Sequence, residues 1–386
     1  MNKLERRKGM LKYIGILGCI MLLTAKISEA CTGITLKTKD NKQIQARTIE
    51  WGESVLKSNI IISPRNYKYQ AIMPDSKNGY SWKGHYGFVG ASLVDDSYIG
   101  EGVNEAGLSA GMFFFPHYGS LSKYLPEKAN ESITDMNLVS WMLSNFSTVD
   151  EVRENINKIR IVPVMVFADG SVSPTAHWRV SDAKGNNIVI EIVNNGEVKI
   201  YDNKVGVVTN SPDFQWQTTN LNNYVHLRPG SVATYDGNGQ KLFSFGMGAG
   251  ALGLPGDITP PSRFVRAFFY LSSTPTPEDG YKGVTQAFQI LNNFDIPIGI
   301  EYQNKKDVPK ELESATQWTT AINQTDREFY YRTMYNSEIR KIDLKKIDFE
   351  KVNYQVLSME KYKIKPYRDN SKIKYKLFKL IFFILI

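Results

Sequence analysis

"CTGITLKTKDNKQIQARTIEW", residues 31–51, reads as two strands and the turn that joins them. Ile34 and Leu36 alternate onto one face of the first strand, "KDNK" supplies the turn, and "QIQARTIEW" returns as the hairpin partner. The pairing brings Arg47 and Glu50 onto the strand beside the one that begins with Cys31.

The residues before this hairpin read as an export signal. "MNKLERRKGMLK" is a basic n-region, "YIGILGCIMLLTA" an apolar h-region, and Ser28 and Ala30 occupy the small-residue positions before a cleavage site. The apolar run is too short to anchor the chain across a bilayer. Residues 1–30 are therefore expected to be a signal peptide, and the protein to be periplasmic or secreted. Of the two cysteines, Cys19 would leave with the signal and Cys31 would become the first residue. The mature protein then has a single thiol and no intramolecular disulfide.

Charge divides along the same boundaries. The chain as a whole carries +8; residues 1–30 hold +4 of this and residues 361–386 hold +7, leaving −3 for residues 31–360. The basic balance belongs to the ends, so it gives no reason to expect a nucleic-acid partner. No linker or repeat divides residues 31–360, which are expected to form a single domain. The tail, 361–386, ends in "LIFFILI" behind Lys372, Lys374, Lys376 and Lys379. Weak contact with an anionic membrane surface and a frayed extension are both open readings.

Along the body, strands are expected at "YGFVGASL" and "GLSAGMFFF", and helices in two pieces over 135–158, the second opened by Thr148 and Glu151 as a capping box. Residues 177–203 read as three antiparallel strands. Helices return at "SRFVRAFFYLSS" and "GVTQAFQILNNF", and strands at "ATQWTTAI" and "REFYYRTMY". This order suggests an α+β sandwich of antiparallel sheets between helical layers rather than βαβ winding.

His85, His117, His177 and His226 are scattered, with no metal-ligand spacing, and are expected to be structural. "GAGALG", 248–253, matches a dinucleotide glycine pattern but lacks the preceding strand, and Pro255 follows, so a loop is expected. Neither metal nor cofactor is called for. Cys31 has three readings: a lipidated cysteine, a buried strand thiol, or a nucleophile. Ser28 stands where a lipidation signal wants a branched apolar residue. As a first residue, Cys31 joins a thiol to an α-amine whose ordinary pKa, near ~7.7, suits it to take the thiol proton. Arg47 could then lower the thiol pKa and hold a carboxylate, and Glu50 could grip the α-ammonium.

At this point the sequence resembles the choloylglycine hydrolase family, which includes conjugated bile acid hydrolases and penicillin V acylases. The resemblance runs through "CTGITLKT…QARTIEWG", "GVNEAGLSAGMFFFP" (102–116), "VVTNSPDFQWQTTNLNNY" (207–224), "LGLPGDITPPSRFVRA" (252–267) and "TQWTTAINQTDREFYYRTMYN" (316–336). It implies an N-terminal nucleophile hydrolase with an αββα sandwich, acting on linear amides. It assigns Cys31 as nucleophile, Arg47 beside it, Asn210 as an oxyanion donor and Arg263 as a second active-site arginine. Glu50 stands where many members have aspartate. Phe113 and Phe114 stand in a segment where bile acid hydrolases usually show an asparagine. Trp51, Phe113 and Phe114 are expected to line an apolar acyl pocket. With the export signal, these features put a penicillin V or N-acyl homoserine lactone acylase first and a conjugated bile salt hydrolase second. The non-enzymatic rival is a binding protein lipid-anchored through Cys31. The implied partner is a small N-acyl amide, and by resemblance the protein is a homo-oligomer, a tetramer.

Overall fold

The computed structural model describes residues 31–173 and 175–360. The expected signal over 1–30 and tail over 361–386 lie outside the described residues.

The opening hairpin forms as its alternation requires: β1 (Cys31–Lys37) pairs antiparallel with β2 (Gln43–Glu50), and Asn41 takes the positive φ of 64° that closes the turn. These strands are the centre of a six-stranded antiparallel sheet. Val207–Val208 flanks β1 on one side, while Thr316–Asn323, Glu328–Thr333 and Asn336–Asp343 continue beyond β2. A second antiparallel sheet of eight strands runs from Glu197–Asp202 at one edge to Gln355–Ser358 at the other. Asn187–Val193, Ala176–Ser181, Ser109–Phe114 and Asp95–Asn104 are among its inner strands.

Helices cover the outer face of each sheet. In Gly280–Leu291 the buried Val284, Ala287, Phe288 and Leu291 recur at helical spacing. With Pro260–Ser273, this helix covers the face of the six-stranded sheet that carries Ile44 and Leu36. Leu138–Asn145, buried almost all round, covers the eight-stranded sheet. The result is an αββα sandwich, the layer order expected from the sequence. Thr148 caps Val149–Asn155 as expected: its Oγ1 accepts the Glu151 N–H. The Glu151 carboxylate reaches one residue further back, to Ser147 N–H.

Between the sheets the contact is charged as well as apolar. Arg179 donates to the carbonyls of Ile34 (3.1 Å) and Ala46 (3.0 Å) and to Glu101 Oε1 (3.2 Å), and Gln45 donates to the same oxygen at 2.7 Å. Charges buried this deeply persist because each meets a partner. They also fix how the sheets are stacked. Gly33 permits the close approach: a Cβ there would lie 2.6 Å from both Phe113 Cζ and Arg179 Nη1. The strands at Asn59–Ser63 and Asp95–Asn104 were not foreseen. In "DDSYIGEGVN" several buried positions are glycine, Glu101 and Asn104, so no apolar alternation marks the strand.

Candidate active site

Strand register defines the site. Cys31 opposes Ile49 on β2, and Ile49 opposes Trp318 on the next strand. Paired residues share a face of the sheet. Cys31 thus sits at the end of β1, facing the second sheet where the sandwich opens into a cleft. The empty space of that cleft, its open mouth included, is about 970 Å³. Its walls include Ile49, Trp51, Leu93, Met112 and Phe114. Cys31 is 4% exposed.

Asn210 and Arg263 hold the backbone of Cys31. The Cys31 nitrogen donates to Asn210 Oδ1 at 2.8 Å. Arg263 Nη1 donates to the Cys31 carbonyl (2.5 Å) and to Thr32 Oγ1 (2.9 Å), while Nη2 donates to Asn210 Oδ1 (2.7 Å). The Asn210 amide group donates to the Phe114 carbonyl at 2.8 Å, tying the 207–213 segment to the far wall of the cleft. An amide has two N–H groups, so one remains for a ligand. Arg263 comes from the first turns of the helix Pro260–Ser273, and Nε anchors it to the Ile258 carbonyl (2.8 Å). Burial pulls its pKa down, opposed by Glu50 and Cys31.

Glu50, at the end of β2, also borders the cleft. Thr316 Oγ1 donates to its Oε1 at 3.2 Å, while Oε2 is buried with no hydrogen-bond partner among the described residues. Burial raises the carboxyl from 4.5 to about 8, against the opposing pull of Arg263, Thr48 and Arg47. While residues 1–30 remain attached, the Cys31 nitrogen is an amide with one N–H. Removal of those residues would make it an ammonium group with further donors and a positive charge, which the orphaned oxygen of Glu50 could balance.

The full chain carries a pH signature. A folded-state pKa above the unfolded value means that the folded chain binds more protons between the two. The Glu50 contribution is therefore fully present below pH 4.5, declines as pH rises towards about 8, and is flat beyond. Melting temperature of the full chain should fall over that window, and more shallowly in Glu50→Gln. An identical slope in the variant would contradict the buried, protonated carboxyl.

One expectation needs correction, that for Phe113. Arg47 was expected to lower the thiol pKa and hold a carboxylate; the carboxylate it pairs with is Glu101, 3.7 Å away. It opposes Gly33 rather than Cys31, is fully buried between the sheets, and donates to the carbonyls of Met112 (2.5 Å) and Gly100 (3.3 Å). Arg47 supports the far wall of the cleft from behind. Phe113, expected in the acyl pocket, points the other way. Strand alternation sends Met112 and Phe114 to the cleft and Phe113 into the inter-sheet core, with Arg47 over its ring at 4.1 Å. Trp51 and Phe114 line the cleft.

His177 was read as structural, and it is, but it supports the site. Its Nε2 donates to the Thr209 carbonyl (2.9 Å), Nδ1 faces Glu191 Oε1 (3.3 Å), and that oxygen accepts Phe214 N–H (2.7 Å). The pair brackets Asn210. A glutamate inside the apolar run "IVIEIV" was the signal available for it.

The chain is similar to known proteins over most of the described residues. Residues 31–357 match the family described as linear amide C–N hydrolases, choloylglycine hydrolase family. The chain is 34% identical over 315 residues to a bile salt hydrolase/transferase of Clostridium perfringens, covering 81% of this chain and 92% of that protein. It is 26% identical over 346 residues to a penicillin V acylase of Pectobacterium atrosepticum, covering 84% and 83%. A crystal structure of a variant conjugated bile acid hydrolase from Clostridium perfringens superposes with a TM-score of 0.74 at 30% identity, covering 88% of this chain and all of that one. A penicillin V acylase structure from Agrobacterium tumefaciens gives 0.67 at 23% identity, covering 86% and 94%, a likeness of fold. The chain belongs to the choloylglycine hydrolase family of linear amide C–N hydrolases.

Proposed function

We propose that this chain, once cleavage has made Cys31 its first residue, hydrolyses the amide bond between a bulky apolar acyl group and a small amine, with conjugated bile salts as its substrates. The observation that carries the reading is the position of Cys31: it opens into an apolar cleft, its nitrogen held by Asn210 and its carbonyl by Arg263. The sequence features had put penicillin V and homoserine lactones first. Similarity at 34% to a bile salt hydrolase/transferase, against 26% to a penicillin V acylase, supports the reverse order. Trp51 and Phe114 would also suit an aryl acyl group, which keeps penicillin V as the second reading. Kinetics with glycine- and taurine-conjugated bile acids, penicillin V and acyl homoserine lactones decide between them. The proposal expects the highest kcat/KM on the bile conjugates; faster cleavage of penicillin V would reverse the order. A lipid anchor at Cys31 is disfavoured because the residue faces the cleft and is nearly inaccessible.

The reaction is acyl transfer. The free α-amine of Cys31 takes the thiol proton, and the sulfur attacks the amide carbonyl. Asn210 and a backbone N–H of the 112–114 stretch receive the developing oxyanion. The tetrahedral intermediate collapses, the leaving amine takes the proton from the α-ammonium, and a thioester remains on Cys31. Water, deprotonated by the same amine, releases the acid. Glu50 balances the α-ammonium, and Arg263 fixes the backbone from which the thiol attacks. Removing one oxyanion donor costs roughly 3–4 kcal/mol of transition-state stabilisation. Asn210→Ala should therefore lower kcat at least about a hundredfold with a smaller change in KM. A change confined to KM would make Asn210 a substrate-positioning residue instead.

Export is part of the proposal, supported by the charge and apolar patterning of residues 1–30. So is self-association. The arm around the hairpin Tyr235–Gly237/Gln240–Leu242 presents Phe243, Phe245 and Met247 to solvent, the last two more than 90% exposed. Apolar surface of that kind marks a contact surface. Sedimentation should show a homo-oligomer, a tetramer by family resemblance, that breaks down in Phe245→Ser/Met247→Ser with the fold retained. Unchanged sedimentation of the double variant would remove the arm from the assembly.

A further inference from the structure

The stretch that carries Asn210 leaves the six-stranded sheet before reaching it. Val207 and Val208 pair with Ile34 and Gly33 of β1, and the ladder ends there. The eight-stranded sheet takes over the next residues. His177 Nε2 donates to the Thr209 carbonyl at 2.9 Å, and Glu191 Oε1 accepts the Phe214 N–H at 2.7 Å. The two side chains stand on paired strands, Ala176–Ser181 and Asn187–Val193, and face one another, Nδ1 to Oε1, at 3.3 Å. One pair thus grips the main chain on both sides of Asn210. Thr209 extends the contact: its Oγ1 donates to the Pro260 carbonyl (3.1 Å), at the start of the helix that carries Arg263.

Packing does not account for this pair. His177 and Glu191 are 2% and 0% exposed, and Phe115 lies flat on the imidazole, with ring centroids 4.4 Å apart. A phenyl ring would stack there as well. An aliphatic side chain at 191 would continue the apolar run of Ile188, Val189, Ile190 and Ile192 without burying a carboxylate. Glu191 Oε2 is buried with no hydrogen-bond partner among the described residues, so everything this carboxylate binds, it binds through Oε1. What the pair supplies is one donor and one acceptor, fixed in place, for two main-chain groups that flank Asn210. An oxyanion donor works only where the oxyanion forms, and a misplacement of about 1 Å costs about a hundredfold in rate.

We propose that His177 and Glu191 are positioning residues for the oxyanion donor, setting the Asn210 amide against the carbonyl under attack and acting on the reaction only through it. The inference rests on reading Asn210 as an oxyanion donor and adds what holds it in place.

The test is a double-mutant cycle on kcat, measured on the mature enzyme with a glycine-conjugated bile acid and with penicillin V. His177→Phe keeps the stack on Phe115 and loses the donor to Thr209. With Asn210 present it should lower kcat by about ten- to a hundredfold and change KM much less. His177→Gln, whose amide N–H can take the place of Nε2–H, should hold kcat within a few-fold of the wild type. In an Asn210→Ala background, His177→Phe should lower kcat by no more than about twofold further, because the group it positions is gone. A merely structural pair would lower kcat by the same factor in both backgrounds, and that result, or an unchanged kcat in His177→Phe, would overturn the proposal. If His177→Phe fails to fold with Glu191 left facing a phenyl ring, His177→Phe/Glu191→Leu, which leaves no ionisable group behind, takes its place in the cycle with the same expectation. If the wild type cleaves neither amide, or Asn210→Ala alone leaves kcat unchanged, the reading of the site fails separately. Crystal structures of the wild type and His177→Phe/Glu191→Leu then decide: an Asn210 amide displaced by about 1 Å or more supports the pair as its positioner, and an unmoved one overturns it.

Discussion

Cys31→Ser should reduce kcat by several orders of magnitude while leaving the fold intact. A serine hydroxyl is hardly ionised at neutral pH, and the α-amine of the same residue is too weak a base to activate it as it activates a thiol. The change removes no packing of consequence: the side chains are similar in size, and the backbone bonds from Asn210 and Arg263 reach the nitrogen and carbonyl rather than the sulfur. Steady-state hydrolysis by the purified variant, with circular dichroism as the control for folding, checks this. Turnover near that of the wild type would remove Cys31 from the chemistry.

Holding a residue in front of Cys31 should be nearly as damaging. A peptide nitrogen has no lone pair available for protonation, so the base is lost although the thiol stays in place. Glu50, left without an ammonium to balance, should then stay protonated to about pH 8. The expected result is a loss of about a thousandfold or more in an uncleavable extended form of verified mass, recovered when the extension is removed by protease. Full activity with the extension in place would show that another group takes the proton; His177 is committed to Thr209 and Glu191 and cannot serve.

The layer order was legible in the sequence because the elements that set it are strongly patterned. The 31–51 hairpin, the three strands over 177–203 and the two C-terminal helices alternate at the right periods and end at recognisable turns. The strand at Asp95–Asn104 escaped because its buried face holds Glu101 and glycines, and that same glutamate carries the inter-sheet network. The site divides in the same way. Motif resemblance placed Cys31, Asn210 and Arg263 together, and the structure brings them within hydrogen-bonding distance.

What sequence reading could not supply was direction. Phe113 and Phe114 are adjacent and chemically alike, and only strand register decides that one faces the cleft and the other Arg47. Arg47 likewise has two carboxylates within reach of its strand, and the inter-sheet stacking selects Glu101 over Glu50. Asp135, which lines the cleft, was invisible for a related reason. In "ESITDMNLV" it reads as an ordinary residue at the start of a helix, and its place in the cleft wall follows from how the turn packs against Val164.

The most direct test of the account is the mass of the acyl-enzyme. The purified mature protein is mixed with a glycine-conjugated bile acid, quenched in acid within the first turnovers, and digested. The account predicts an N-terminal peptide that begins at Cys31, carries one acyl group as a thioester labile to hydroxylamine, and keeps a free α-amine. Rapid turnover by a protein that retains residues 1–30, or an acyl group found on any residue other than Cys31, would contradict it.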